Sequence, residues 1–185
     1  MGDATDREAI ALLRRRDPRG FDLAYAAYAG RIRGFLLRLA RDRDLADDLL
    51  QHTFLRLAEQ GPELRPDSDL RAWLFTVAHN AHASHARRWK ATRDDAALEA
   101  LASPPPDVEA RLLLGDVEGA LARLRPQDRE VLLLVGVEGF EHEKVAAMLG
   151  LGAAALRQRL ARARSRLLVE LERAPQTNDL EKVLP

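Results

Sequence analysis

The chain has no cysteine among its 185 residues. That excludes a disulfide framework, a thiolate metal site and a cysteine nucleophile. Aromatic residues make up only 5%, and alternating polar and apolar runs are missing, so strands have little to build on. No stretch approaches the ~18 uncharged apolar residues of a transmembrane helix, and no membrane insertion is expected. The opening segment, Met1 to Glu8, is polar and acidic and lacks the apolar core of a signal peptide, which makes the cytoplasm the expected location. Carboxylates are plentiful, yet no nucleophile motif, phosphate loop or paired-acid pattern stands out. Neither catalysis nor a cofactor is expected. Net charge is absent too, since 29 Lys and Arg balance 29 Asp and Glu.

The charges that cancel in the sum are separated along the chain, and distribution matters more than the sum for nucleic-acid binding. From Leu70 to Arg93 there is no acid, while Arg71, Arg87, Arg88, Lys90 and Arg93 are basic. Leu156 to Leu168 is a second acid-free block with five arginines: Arg157, Arg159, Arg162, Arg164 and Arg166. Acids gather elsewhere, at Asp42, Asp44, Asp47 and Asp48 and again at Glu138, Glu141 and Glu143. Such a chain can meet nucleic acid with one face and protein with another; solvated helix faces are the plain alternative.

Ala, Leu, Arg and Glu dominate, which predicts an all-α protein. Helices are expected near 6–15, 21–41, 44–59, 69–90, 107–124, 127–138, 141–149 and 153–172. Asp44 is the expected N-cap of the third, Gly61-Pro62 its end, and Ser68 or Asp69 the cap of the fourth. In the fourth, Leu70, Trp73, Leu74, Val77, Ala78 and Ala81 form the expected core stripe. Ala102-Ser103-Pro104-Pro105-Pro106 is the clearest break, because three prolines cannot continue a helix. The organisation expected is two small helical domains, an N-terminal helical bundle over 1–90 and a C-terminal helix-turn-helix over 107–173. A flexible linker, 91–106, joins them, and a weakly ordered tail, 174–185, follows. Leu180, Val183 and Leu184 in that tail offer apolar side chains to a partner.

The C-terminal part carries the most specific local pattern. Pro126 suits the first turn of a helix, Val131 to Val135 and Val137 supply core, and Val145, Ala146 and Leu149 face inward from a short scaffold helix. Gly150 can take the left-handed conformation that ends that helix. In the last helix Leu156, Leu160, Ala163 and Leu167 form one apolar stripe, with Arg157 and Arg164 on one flank and Arg159 and Arg166 on the other. Ala154, Gln158, Arg162 and Ser165 point outward. Helix, glycine turn and basic helix is the layout of a DNA-binding helix-turn-helix, whose second helix enters the major groove. There Gln158 suits adenine, Arg162 suits guanine, and Ala154 or Ala155 suits a thymine methyl. The flanking arginines would hold phosphates.

Three blocks of residues resemble extracytoplasmic-function sigma factors of the bacterial sigma-70 family. Leu124-Arg125-Pro126-Gln127-Asp128-Arg129-Glu130-Val131-Leu132, Glu138-Gly139-Phe140, Lys144-Val145-Ala146, Leu149-Gly150 and Arg159-Leu160-Ala161-Arg162-Ala163-Arg164 look like that family's −35-binding region. Asp44 to Leu55 resembles the segment that docks on RNA polymerase, and Leu70 to Asn80 the segment that melts and reads the −10 element. The resemblance spans roughly residues 8–172. It implies that Asp47, Asp48 and Gln51 face the clamp helices of the β′ subunit, with the β flap a further polymerase contact. It implies that Asn80 lies beside a flipped −10 base, with His79 next to it, and that Arg87, Arg88 and Lys90 contact the DNA backbone. Ala154, Ala155, Arg157, Gln158, Arg159, Arg162 and Arg164 fall on the −35 element. An anti-sigma factor is the expected regulator. Two departures stand out: the turn that usually reads Ser-x-Gly-Thr-Val is Gly152-Ala153-Ala154-Ala155-Leu156, without a hydroxyl N-cap, and the scaffold helix opens with Glu141-His142 where Ser-Tyr is usual. A sigma-like mimic that sequesters an anti-sigma factor and a freestanding helix-turn-helix regulator remain open beside the sigma-factor reading. No metal is expected, because His79, His82 and His85, at offsets of three and six, drift around a helix and cannot all reach one ion.

Overall fold

The computed structural model describes residues 3–91 and 111–173, with side chains at 4–89 and 117–173. The tail 174–185, and the linker 91–106 beyond Ala91, lie outside the described residues. Among the described residues there are α-helices and no strand. In order they are α1 (Asp3–Arg14), α2 (Pro18–Ala40), α3 (Arg43–Gln60), α4 (Leu70–Ala91), α5 (Arg111–Arg123), α6 (Pro126–Leu132), α7 (His142–Met148) and α8 (Ala153–Glu172). A 3-10 turn, Gly61–Glu63, closes α3 where Gly61-Pro62 predicts an end. The chain divides into two compact units, Met1–Ser103 with Ala146–Leu151 and Pro104–Val145 with Gly152–Pro185.

In the first unit α1 packs on α2, α2 on α3 and α3 on α4, and α4 also meets α2. Ile10, Ile32, Phe35, Leu36, Leu57, Leu70, Leu74 and Phe75 are fully buried between them, with the Phe35 and Phe75 rings 5.4 Å apart. The expected α4 stripe is therefore partly corrected. Leu70, Leu74, Ala78 and Ala81 are buried, but Trp73 and Val77 are only half-buried and Phe75 takes the inward place. α4 packs against two helices at once, so its buried face is turned toward Phe75 and Trp73 is left at the rim. The cap of α3 is corrected too. Arg41, in the left-handed region at φ 60°, ends α2, and the extended Asp42 then caps α3, its side chain accepting from Leu45 N at 3.0 Å. Asp44 lies inside the first turn, where a carboxylate suits the positive helix end. Asp69 caps α4 as expected, accepting from Ala72 N at 2.8 Å. At the start of α2, Asp17 accepts from Arg19 N at 3.0 Å, and the hydrogen-bonded Arg19 guanidinium, aided by this backbone bond, holds its pKa down at about 2.

In the second unit α8 packs on α6 and on α5. Leu121, Leu124, Val131, Leu133, Leu134, Leu156, Leu160 and Ala163 are buried, while Leu167, expected inward, is half-buried. Pro126 stands in the first turn of α6 as expected. The predicted continuous helix to 138 instead stops at Leu132 and widens into a π-helical turn, Leu133–Val137, closed by Glu138 N donating to Leu133 O at 2.8 Å. The wider turn swings Val137 outward to 55% exposure, so Val137 is not core.

Gly20 permits the close crossing of α1 and α2. A Cβ there would lie 2.6 Å from Leu13 N and 2.8 Å from Ala9 O, both backbone atoms that cannot rotate away. Gly20→Ala gains helix propensity of under about 1 kcal/mol but forces the helices apart. We expect a net loss of roughly 1–3 kcal/mol, typical of overpacking, read as a lower urea midpoint.

Candidate nucleic-acid interface

The turn between α7 and α8 is built by its glycine. Gly150 sits at φ +63°, Gly150 N donates to Ala147 O at 3.3 Å, and Leu151 N donates to Ala146 O at 2.9 Å. These paired bonds form a Schellman motif, which closes the helix C-terminus through a residue without a Cβ penalty. Val145 and Ala146 are buried as expected; the third inward residue of α7 is Met148, with Leu149 half-buried. Gly152 then adopts an extended conformation and starts α8 with no side-chain cap. The missing hydroxyl thus has a structural consequence: no side chain occupies the first N–H groups of α8.

α8 takes the span expected from the sequence, and Leu156, Leu160 and Ala163 bury its inner stripe. Opposite that stripe Ala154, Ala155, Gln158 and Arg162 are exposed. Of the flanking arginines, Arg157 and Arg164 are exposed and Arg159 is half-buried. None of Arg157, Arg159, Arg162 and Arg164 has an intramolecular partner among the described residues. Arg166 differs: its Nη1 donates to Asp128 Oδ2 on α6. Among the described residues Arg166, alone of the five arginines of α8, thus faces an acid remote in sequence.

The position of α8 depends on a buried guanidinium. Arg129 is 4% exposed, and it donates to Leu121 O, Ala122 O and Leu124 O, each at 2.9 Å. These carbonyls lie at and just past the end of α5, where a helix carries a partial negative charge; Leu121 O also accepts from Leu124 N at 3.1 Å. One planar fork satisfies three of them. Arg129 lies within a recognisable motif, but its place against the end of α5 is not visible from the sequence.

On α4, Trp73, Asn80 and Arg87 recur at seven-residue intervals, which places them on one face. Asn80 and Arg87 are exposed, and Trp73 is half-buried beside them. Arg87 Nη2 donates to Ser84 Oγ at 2.9 Å. His79 is half-buried and Arg88 exposed; the Lys90 side chain lies outside the described residues. His85 stacks on Trp89 with ring centroids 6.3 Å apart. Among the described residues no group of three or more His, Cys, Asp or Glu is placed to hold a metal ion.

Of the expected polymerase-facing residues, Asp48 and Gln51 are exposed on α3. Asp47 is engaged within the fold: Arg33 donates to both its oxygens, at 2.6 and 3.1 Å. Those hydrogen bonds hold the Asp47 carboxyl below the usual carboxylate value. Next to them lies an apolar surface the sequence reading passed over. Phe21, Tyr25 and Phe54 cluster with centroids 4.8–6.0 Å apart, and Tyr25 and Leu55 are 47% and 62% exposed. The i, i+4 spacing of Phe21 and Tyr25 was a visible signal. No helix among the described residues is long and apolar enough to cross a membrane.

Fold and surface together define an all-helical, two-unit protein that ends in a basic helix-turn-helix. Residues 24–92 match sigma-70 region 2 and residues 114–167 match sigma-70 region 4. The chain is 36% identical over 138 residues to the ECF RNA polymerase sigma factor EcfG of Rhodopseudomonas palustris (strain TIE-1), covering 74% of this chain and 76% of that one. It is 36% identical over 164 residues to the RNA polymerase sigma factor CarQ of Myxococcus xanthus, covering 82% and 91%. Its fold is similar to that of the sigma factor RpoE in complex with the anti-sigma factor NepR from Bartonella quintana, with a TM-score of 0.71 at 29% identity over 82% of this chain and 96% of that one. It is equally similar to CnrH in complex with the cytosolic domain of CnrY, with a TM-score of 0.71 at 26% identity over 92% and 99%. The chain belongs to the ECF RNA polymerase sigma factors, DNA-binding initiation factors that bind RNA polymerase core and direct it to promoters.

Arg129→Met removes the donors to three carbonyls at the end of α5 while preserving side-chain bulk. We expect it to cost roughly 1–3 kcal/mol, the range for orphaned buried hydrogen-bond partners, measured by urea unfolding followed by circular dichroism. Arg129→Lys falls between, since one ammonium cannot span the three acceptors.

Proposed function

We propose that this sigma factor divides promoter recognition between α4 and α8. The observation that carries the reading is the coincidence, within α8, of an exposed outer face with four guanidiniums lacking any intramolecular partner among the described residues. In a major groove, Gln158 and Arg162 address base edges and Arg157, Arg159 and Arg164 hold phosphates. Ala154 and Ala155 add methyl-sized apolar contact. The uncapped N–H groups at Gly152–Ala155 suit a phosphate oxygen, the anion that a helix N-terminus favours.

On α4 the Trp73–Asn80–Arg87 face offers an aromatic rim, an amide and a cation in line. That combination suits an unstacked −10 base and its backbone, with His79, Arg88 and Lys90 beside it. Capturing a flipped base offsets part of the few kcal/mol that unstacking costs. The polymerase makes and breaks the bonds; this chain supplies recognition. Asp48, Gln51, Tyr25 and Leu55 form the surface for the β′ clamp helices, with Asp47 oriented by Arg33, and the second unit meets the β flap. The working division is 1–90 for polymerase binding and melting, 91–106 as linker and 107–173 for the −35 element. Relatives solved with an anti-sigma factor bound support control of the same kind here, in the cytoplasm.

The test is run-off transcription with purified polymerase core, this chain and a promoter library. Promoter-specific transcripts are expected; no open complex on any sequence sinks the reading and favours a decoy for an anti-sigma factor, for which the alanine face at 153–155 is the motivating feature. On the promoters selected, Asn80→Ala should slow open-complex formation tenfold or so, about 1.4 kcal/mol, and leave closed-complex affinity nearly intact, as followed by 2-aminopurine fluorescence. Arg162→Ala should flatten discrimination at one −35 position by about 1–3 kcal/mol, measured by binding to single-base promoter variants.

A further inference from the structure

Five arginines look equivalent along α8, but the fold treats one of them differently. Arg159 and Arg166 stand seven residues apart and so share one flank of the helix. Only Arg166 has an acid opposite it, and that acid, Asp128, keeps a side-chain exposure of 9% against 44% for Arg166. A carboxylate so enclosed depends on its cation, because without it a charge is left where water reaches poorly. A phosphate could recruit Arg166 only by stripping Asp128 of that partner. Asp128 is followed in α6 by Arg129, which is fixed to the end of α5. One turn beyond Arg166, Glu170 gives a second tie: Arg123 of α5 donates to its Oε2 at 2.7 Å and to its backbone O at 2.9 Å. The last turns of α8 are thus held by α5 and α6, while every unpartnered arginine lies N-terminal to residue 166.

We propose that Arg166 is a positioning residue: paired with Asp128, it sets how α8 enters the major groove and does not itself contact DNA. The proposal rests on the −35 reading above and adds which cation stands outside it. Each true phosphate contact contributes about one unit to the dependence of log affinity on log salt, whereas a positioning residue contributes affinity with no change in that slope.

The experiment uses the full chain bound to polymerase core and a fluorescent duplex carrying the −35 element, titrated at several salt concentrations. Arg157→Gln and Arg164→Gln serve as references and should each lower the slope by about one. Arg166→Gln should weaken binding severalfold and blunt −35 discrimination with the slope unchanged. Arg166→Asp should bind worse still, and adding Asp128→Arg to it should restore binding by reversing the pair. A slope loss of about one in Arg166→Gln, or a reversed pair that binds no better than Arg166→Asp alone, overturns the proposal. Arg166→Gln keeps an amide N–H that can donate to Asp128 and leaves the apolar stripe of α8 in place, so it decides the matter even where the reversed pair folds poorly; circular dichroism of each variant checks this. If the wild-type complex shows no −35 preference at all, the parent reading falls and takes this one with it, an outcome distinct from a failure of Arg166 alone.

Discussion

The second unit depends on one planar cation in an unusual place. A guanidinium enclosed by protein is costly unless its donors find partners, and Arg129 places three of them on the carbonyls of Leu121, Ala122 and Leu124 at the end of α5. Carbonyls at a helix end lack the full set of internal donors, although Leu121 O also accepts from Leu124 N. Each side therefore removes the other's penalty. The consequence is geometric: the end of α5 and the start of α6 are locked at a fixed turn, and α8 packs against both. Asp128, one residue earlier, faces α8 instead. Two neighbouring side chains on a short helix thus organise the whole unit, one toward the helix before it and one toward the helix after it.

The first unit is organised by contact where the second is organised by charge. Gly20 lets two backbones approach to a distance no side chain would allow, and Phe35 against Phe75 fills the centre. A hydrogen bond from Tyr28 to Asp6, 2.6 Å long, ties α2 to α1, and burial together with that bond raises the tyrosine pKa. Close packing leaves α4 with a buried side and a rim. Trp73 belongs to the rim, so an aromatic that would otherwise be core stays half-exposed on the Asn80 face.

Much of this was legible in the sequence. Helix 153–172, the left-handed Gly150, Pro126 in a first turn and the Asp69 cap all follow from local rules about φ and unsatisfied backbone groups. What escaped depends on which helices lie next to which. A 3.6-residue period gives a stripe but not its breadth or rotation, so Phe75 and Trp73 exchanged roles. Asp42 and Asp44 are equally good caps in sequence, and the left-handed Arg41 decides between them. The π turn after Leu132 has no composition signal. Asp47 and Arg166 read as free charges because Arg33 and Asp128 are far away along the chain. Failures of this kind share a cause: a charge pattern shows where ions are, and only the fold shows which ones are already spent on each other.

That distinction bears on how a recognition helix works. Affinity for a polyanion rises with every free cation, but a helix held only by its DNA contacts would adapt to many sequences. Discrimination needs the helix fixed before DNA arrives, so that a wrong base leaves a donor or acceptor unpaired and cannot be accommodated by tilting. In α8 the fixing and the proposed reading fall on different turns. The ties at Arg166 and Glu170 lie toward its C-terminus, and the exposed alanines, Gln158 and Arg162 toward its N-terminus. With only methyl groups at Ala154 and Ala155, the first turn has little to say about base identity. On the proposed reading specificity falls on Gln158 and Arg162, a turn or two further in, and rigid placement of the helix matters more than it would with polar side chains at its tip.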